Sequence, residues 1–193
     1  MSEVLTIELP KSLAQTPTAP AQSSGQPMIT STRIARRVRQ LGRNISHVYA
    51  EIDSPLLIVI ILKGATVFAA DLMRSLSIPA ELEFIRASSY GSGTSHGKLR
   101  LAHMVDGSLA DRHVLLVEDI VDSGHTIEAI TRRLKRMKPA SLRLAALLDR
   151  PARRAVDVKI DFLGFTIPDR FVIGYGLDYA GLYRELPGIY SLG

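Results

Sequence analysis

Leu56 to Leu62 reads Leu-Leu-Ile-Val-Ile-Ile-Leu without a polar interruption. A strand with one wet face alternates apolar and polar side chains, so an unbroken run of this kind requires a strand covered on both faces. Two further runs behave the same way, His113 to Val117 and Leu142 to Leu148, and Glu81 to Ser89 reads as another strand. Between them lie stretches of helical period. Ile34, Val38, Leu41, Ile45 and Val48 recur on one face after Arg33, a helix runs from about Ala65 to Leu76, and Thr126 to Met137 turns Ile127, Ile130, Leu134 and Met137 inward. Strands alternating with helices predict an α/β fold with a mostly parallel sheet. Short apolar runs at Phe162 to Ile167 and Phe171 to Ile173 fit edge strands or a small cap.

The rest of the chain sets limits. Its 193 residues, 46% hydrophobic, fit one domain with an ample core. Residues 1–27 carry four prolines amid Ser, Thr and Gln and read as a flexible lead-in to a domain spanning 28–193. Ser88 to His103 is rich in Ser, Gly, Thr and His and reads as a long mobile loop. The absence of cysteine excludes disulfides, thiolate metal sites and a cysteine nucleophile. Neither a spanning apolar segment nor a signal pattern is present, so the expectation is a cytoplasmic protein with no membrane partner. The net charge of +5 fits nucleic acid, an acidic surface or small anions equally. Its densest clusters, Arg36 to Arg43 and Arg132 to Lys138, fall on amphipathic helices whose wet faces account for them, and no nucleic acid is expected.

Chemistry concentrates in Val114-Leu-Leu-Val-Glu-Asp-Ile-Val-Asp-Ser-Gly-His-Thr126. A buried strand passes through two adjacent carboxylates, Glu118 and Asp119, into a Ser-Gly-His-Thr turn and then a helix. The helix start offers unpaired amides to an anion, Gly124 permits close backbone approach, and Ser123 and Thr126 add hydroxyls. Charges ending an apolar strand need a partner or a ligand, because burying them alone is expensive. The plainer reading makes Asp122 or Ser123 a helix cap. Neither the Walker lysine nor a Gly-x-Gly-x-x-Gly pattern is present.

Val117 to Thr126 resembles the phosphoribosyl pyrophosphate signature of the type I phosphoribosyltransferases, most closely their hypoxanthine-guanine branch. The likeness runs over residues 30 to 190 and implies that family's fold, a twisted parallel sheet flanked by helices with a small hood lobe from the chain ends. It also implies substrates, phosphoribosyl pyrophosphate and a 6-oxopurine base, with Mg2+ as cofactor and a dimer or tetramer as the assembly. Asp122 takes the role of catalytic base. Glu118, Asp119, Ser123, Gly124, His125 and Thr126 bind the ribose phosphate side, and Glu118, Asp119 and Asp178 face the metal.

Leu62-Lys-Gly-Ala65 matches the pyrophosphate loop, with a Leu-Lys peptide that can be cis, and brings in Lys63 and Gly64. Ser89 and Tyr90 match the lid dipeptide. Such a lid makes chemical sense because it keeps water from an electron-poor ribosyl carbon. Phe171-Val-Ile-Gly-Tyr-Gly-Leu-Asp-Tyr-Ala-Gly-Leu-Tyr-Arg184 matches the base pocket. There Phe171 stacks on the purine, Val172 offers backbone groups, Asp178 reaches the metal region and Arg184 touches pyrophosphate. Two positions depart from the pattern, and at one of them Ser123 replaces the loop threonine while keeping a hydroxyl. Arg150 stands where the family usually has the lysine that donates to the purine 6-oxygen, and a planar guanidinium is not a drop-in replacement for an ammonium. Two other readings stay open at this stage, a regulator keeping the pocket as a sensor and a transferase for another base.

Overall fold

The computed structural model describes residues 26–89, 99–102 and 108–192. Most of the lead-in and the lid residue Tyr90 lie outside them. In chain order the elements are α1 (Ser31–Val48), β1 (Leu56–Leu62), α2 (Thr66–Arg74), β2 (Ala80–Ser89), β3 (Leu99–Ala102), β4 (His113–Val121), α3 (His125–Arg136), β5 (Ser141–Asp149), β6 (Phe162–Thr166), β7 (Phe171–Ile173) and β8 (Tyr190–Leu192). The main sheet has the order β3-β2-β1-β4-β5-β6. Every neighbouring pair in it is parallel except β2 with β3. A separate antiparallel pair, β7 with β8, forms the small lobe. The segment before α1 is tied to it by reciprocal backbone bonds between Ile29 and Ile189, at 3.1 and 2.9 Å.

The apolar run of β1 is used on both faces. Leu56, Ile58 and Ile60 join the core under α1 and α2, whereas Leu57, Val59 and Ile61 join the core under α3. The helices obey their stripes. Ile34, Val38, Leu41 and Ile45 of α1 are buried, as are Ile127, Ile130 and Leu134 of α3. Val48 is the exception at 41% exposed, because it ends α1 and the next residue, Tyr49, turns into the core instead. None of the described helices is long and apolar enough to cross a membrane.

Two expectations need correction. β4 continues to Val121, so Glu118 and Asp119 sit inside a strand that still pairs with β5 beyond them. Leu99–Ala102, expected in a loop, is a strand pairing with Arg86 to Ser89. Its four residues are too few to show a period, and only the long-range pairing makes them a strand. Of the two readings offered for the run at Phe162, the edge strand is the one found, since Phe162–Thr166 closes one side of the main sheet.

Candidate active site

Since β1 and β4 are parallel neighbours, the loops leaving them open side by side at the carboxyl end of the sheet, where open α/β folds place ligands. The Leu62–Lys63 peptide is cis, as the resemblance implied, and Lys63 is exposed. The loops touch through glycines. A Cβ on Gly64 would lie 1.7 Å from Asp119 Oδ2, so the Asp119 carboxylate occupies the place where any other residue would carry a side chain. On the other side, a Cβ on Gly176 would meet Gly64 O at 2.2 Å. Asp119, Gly64 and Gly176 therefore form a column joining β4, the loop after β1 and the turn after β7.

The phosphate loop is built as its sequence demands. Gly124 has φ 91°, a left-handed conformation that side chains avoid, and the helix ladder starts with Glu128 N–H to Gly124 O at 2.9 Å. The amides ahead of that bond are those a helix start presents to an anion. No side chain caps α3, which removes the plainer reading of Asp122 and Ser123. Glu118, Asp119, Asp122, Ser123, Gly124 and Thr126 line a cavity of about 100 Å³ over this turn. His125 is exposed beside it.

Asp122 instead meets Arg150 across the loop. Arg150 Nε donates to Oδ1 at 3.1 Å and Nη2 to Oδ2 at 2.7 Å, while Nη1 donates to the backbone carbonyl of Arg170 at 2.8 Å. Arg150 is 7% exposed. The residue after Arg170 is Phe171, whose ring is 47% exposed at the start of β7 and meets Tyr179 edge-on at 5.8 Å. An exposed aromatic face beside a buried donor suits a flat heterocycle carrying an acceptor. Val172 is buried next to it, leaving its backbone as the group it offers.

Arg184 and Asp178 are brought together. Arg184 Nη2 lies 2.6 Å from Asp178 Oδ1 and Nη1 donates to Gly176 O at 2.6 Å, while Asp178 Oδ2 accepts from Gly181 N at 2.8 Å. Among the described residues, no three His, Asp or Glu side chains converge as a metal cage, so Asp178 does not join Glu118 and Asp119 in one cluster. The turn carrying Asp178 is anchored from beneath, where Tyr175 donates its hydroxyl to Asp71 of α2 at 2.6 Å. Burial and that bond hold the Tyr175 phenol protonated well above its usual range.

The sequence model of the phosphoribosyl transferase domain matches residues 30–180. The chain belongs to the phosphoribosyltransferase family. Within that family it is 44% identical to the hypoxanthine phosphoribosyltransferase of Salmonella typhimurium over 161 residues, covering 83% of this chain and 90% of the relative. It is 43% identical to the hypoxanthine-guanine phosphoribosyltransferase of Mycobacterium avium over 170 residues, covering 86% and 84%. The solved structure of the Trypanosoma cruzi hypoxanthine phosphoribosyltransferase superposes with a TM-score of 0.83 at 36% identity, covering 89% of this chain and 93% of that one.

Three contributors to the candidate site were not legible beforehand. Arg154 donates from Nε to Asp122 O at 3.0 Å and from Nη2 to Val121 O at 3.3 Å, and its guanidinium also pairs with Asp149. The amides of Ala155 and Val156 both donate to Ser123 O at 3.0 Å. The segment after β5 thus takes up the carbonyls of the phosphate loop and leaves its amide side for the ligand. The Pro-Ala-Arg-Arg run following Arg150 was the available hint. Tyr179, which props Phe171, was hidden in the Asp-Tyr string.

Glu118 is the electrostatic anomaly. It is buried, accepts from its neighbour's amide at 3.0 Å, and makes no ion pair among the described residues. Burial first, and then the adjacent Asp119 charge, push its carboxyl well above the usual range. A folded value above the unfolded one stabilises the fold fully at acidic pH, and that contribution is lost as pH rises through the folded value. Glu118→Gln should therefore raise the melting temperature of the ligand-free protein near neutral pH and flatten its decline from acid to neutral. Thermal melts across that range test it, and a lower neutral midpoint would mean that the charge has a stabilising partner.

Proposed function

We propose that the chain transfers the phosphoribosyl group of phosphoribosyl pyrophosphate to N9 of hypoxanthine or guanine, yielding the nucleoside monophosphate and pyrophosphate in purine salvage. The observation carrying this reading is the chain of contacts Asp122–Arg150–Arg170, which sets a carboxylate of the phosphate loop beside a donor at the ring-stacking face of Phe171.

The residues then divide the work. The α3 start, with Ser123, Gly124, His125 and Thr126, holds the 5′-phosphate, and Lys63, Gly64 and Arg184 hold the diphosphate. Phe171 stacks the base, Val172 meets its edge through the backbone, and Arg150 donates to the 6-oxygen. As N9 bonds to ribose C1, the bond from C1 to the diphosphate oxygen breaks, and Asp122 accepts the proton from N7. Ser89 and Tyr90 belong to the lid that keeps water from C1.

The donor set fits magnesium. Glu118 and Asp119 are adjacent hard-oxygen groups, one of them buried without a cation, and diphosphate and water would complete six ligands. When bound, magnesium would neutralise charge on the departing diphosphate, with Glu118 and Asp119 as the residues that would hold it, while Asp178, paired with Arg184, would act on the diphosphate side through that arginine. A cytoplasmic location belongs to the same reading, consistent with a chain that has no cysteine.

Pyrophosphate release from purified protein with magnesium, phosphoribosyl pyrophosphate and, separately, hypoxanthine, guanine, xanthine and adenine tests the assignment. Turnover is expected with hypoxanthine or guanine and not with adenine. Silence with every base would sink it.

The same reading includes self-association. Leu82 and Phe84 of β2 lie in register with Ile58 and Ile60, on the sheet face that α2 covers over β1, yet they are 38% and 40% exposed, with Val67 of α2 at 36%. A second copy laid on this strip would bury side chains worth roughly 1.5–3 kcal/mol each. Leu82→Glu with Phe84→Glu should shift the protein to monomer in light scattering at micromolar concentration. A wild-type monomer at that concentration would refute the assembly.

A further inference from the structure

We infer that Arg150 is a positioning residue for Asp122, a strut fixing the carboxylate relative to the base-stacking face while keeping donors free to read the purine's 6-position. The inference rests on the transferase reading above and deepens it. A guanidinium has five N–H groups in a fixed plane. Three are spent in this structure, two on the oxygens of Asp122 and one on the Arg170 carbonyl. Five minus three leaves two, one on each terminal nitrogen.

The triangle matters because its corners come from three different segments. Asp122 belongs to the phosphate loop, Arg150 follows β5, and Arg170 precedes Phe171 of the hood. Bidentate pairing sets the plane of the carboxylate as well as its distance, which a single-point contact does not. The third bond sets the same plane against the backbone from which the stacking ring projects. A proton acceptor that must meet an atom of the stacked base is thereby aligned before the base arrives, and small misplacements of such groups cost large factors in rate. The groups are also well supported. Arg150 N–H bonds Val121 O at 3.0 Å, and Arg154 holds the Asp122 carbonyl, so the backbone at both ends of the pair is tied down. In the transferase reading the two spare N–H groups are the donors available to the purine. A 6-oxygen answers them, whereas a 6-amino group sets donor against donor.

A lysine at this position keeps the charge and a donor but offers one nitrogen, which cannot engage both Asp122 oxygens in plane and the Arg170 carbonyl together. Arg150→Lys should therefore lower kcat by about tenfold or more, leave the KM for phosphoribosyl pyrophosphate within about twofold, and keep the preference for hypoxanthine over adenine. The deciding arm is a double-mutant cycle. If Arg150 acts through Asp122, Arg150→Lys should cost little further kcat in an Asp122→Asn background. The Arg150→Gln variant, planar and neutral, repeats the cycle should the lysine protein not fold, with melting temperature as the check. Wild-type kcat in the lysine variant, or the same fold-loss in both backgrounds, overturns the strut. Absence of turnover in the unaltered protein would instead overturn the transferase reading.

Discussion

Asp122→Asn should lower turnover by about 10²- to 10⁴-fold, the range a positioned general base contributes, while the KM for phosphoribosyl pyrophosphate changes by no more than a few-fold. The substitution is close to isosteric and removes little else. Asp122 caps no helix, so α3 keeps its start. The backbone carbonyl at this position stays with Arg154 at 3.0 Å, and asparagine keeps one acceptor oxygen for Arg150. What disappears is the basicity of the group and one arm of the pairing with Arg150. Steady-state kinetics with hypoxanthine, combined with direct binding of phosphoribosyl pyrophosphate, separates the possibilities. Equal losses in turnover and binding would remove Asp122 from the chemistry and leave it a structural anchor of the loop.

The second large effect is expected at Gly64, far from any proton transfer. Alanine there places a methyl 1.7 Å from Asp119 Oδ2 and 2.6 Å from its Cγ, an overlap that only movement of the carboxylate or of the loop can relieve. Either movement separates the pyrophosphate loop from the carboxylate strand. Overpacking of this kind costs roughly 1–3 kcal/mol, which, where binding requires the original arrangement, is about a 5- to 150-fold rise in the KM for phosphoribosyl pyrophosphate. Gly176→Ala should act in the same direction, since its Cβ meets Gly64 O at 2.2 Å and its φ is 99°. An informative control is Gly64→Ala with Asp119→Ala, which makes room for the methyl. The double variant should recover thermal stability but not diphosphate affinity. A Gly64→Ala protein with unchanged KM would show that the column can slide apart without consequence.

Both predictions concern contacts between segments distant in the chain, and that is where reading the sequence stops. The run Leu56 to Leu62 determines a strand buried on both faces because its composition leaves no wet side, and the stripes of α1 and α3 determine which sides face the sheet for the same reason. The Ser-Gly-His-Thr turn after adjacent carboxylates specifies a helix start without a side-chain cap, since glycine at a left-handed position is a local property, and such a start is suited to an anion. Other features are set by partners. Leu99–Ala102 becomes a strand only because β2 is there to pair with it. Asp122 looks like a helix cap until Arg150 is folded against it. Gly64 looks like an ordinary turn residue until Asp119 fills its missing side chain. Periodicity and turn chemistry act over a few residues and can be read along the chain. The direction of a carboxylate and the gap between two loops are fixed by side chains that meet only after the sheet has assembled, so the tertiary structure alone decided them.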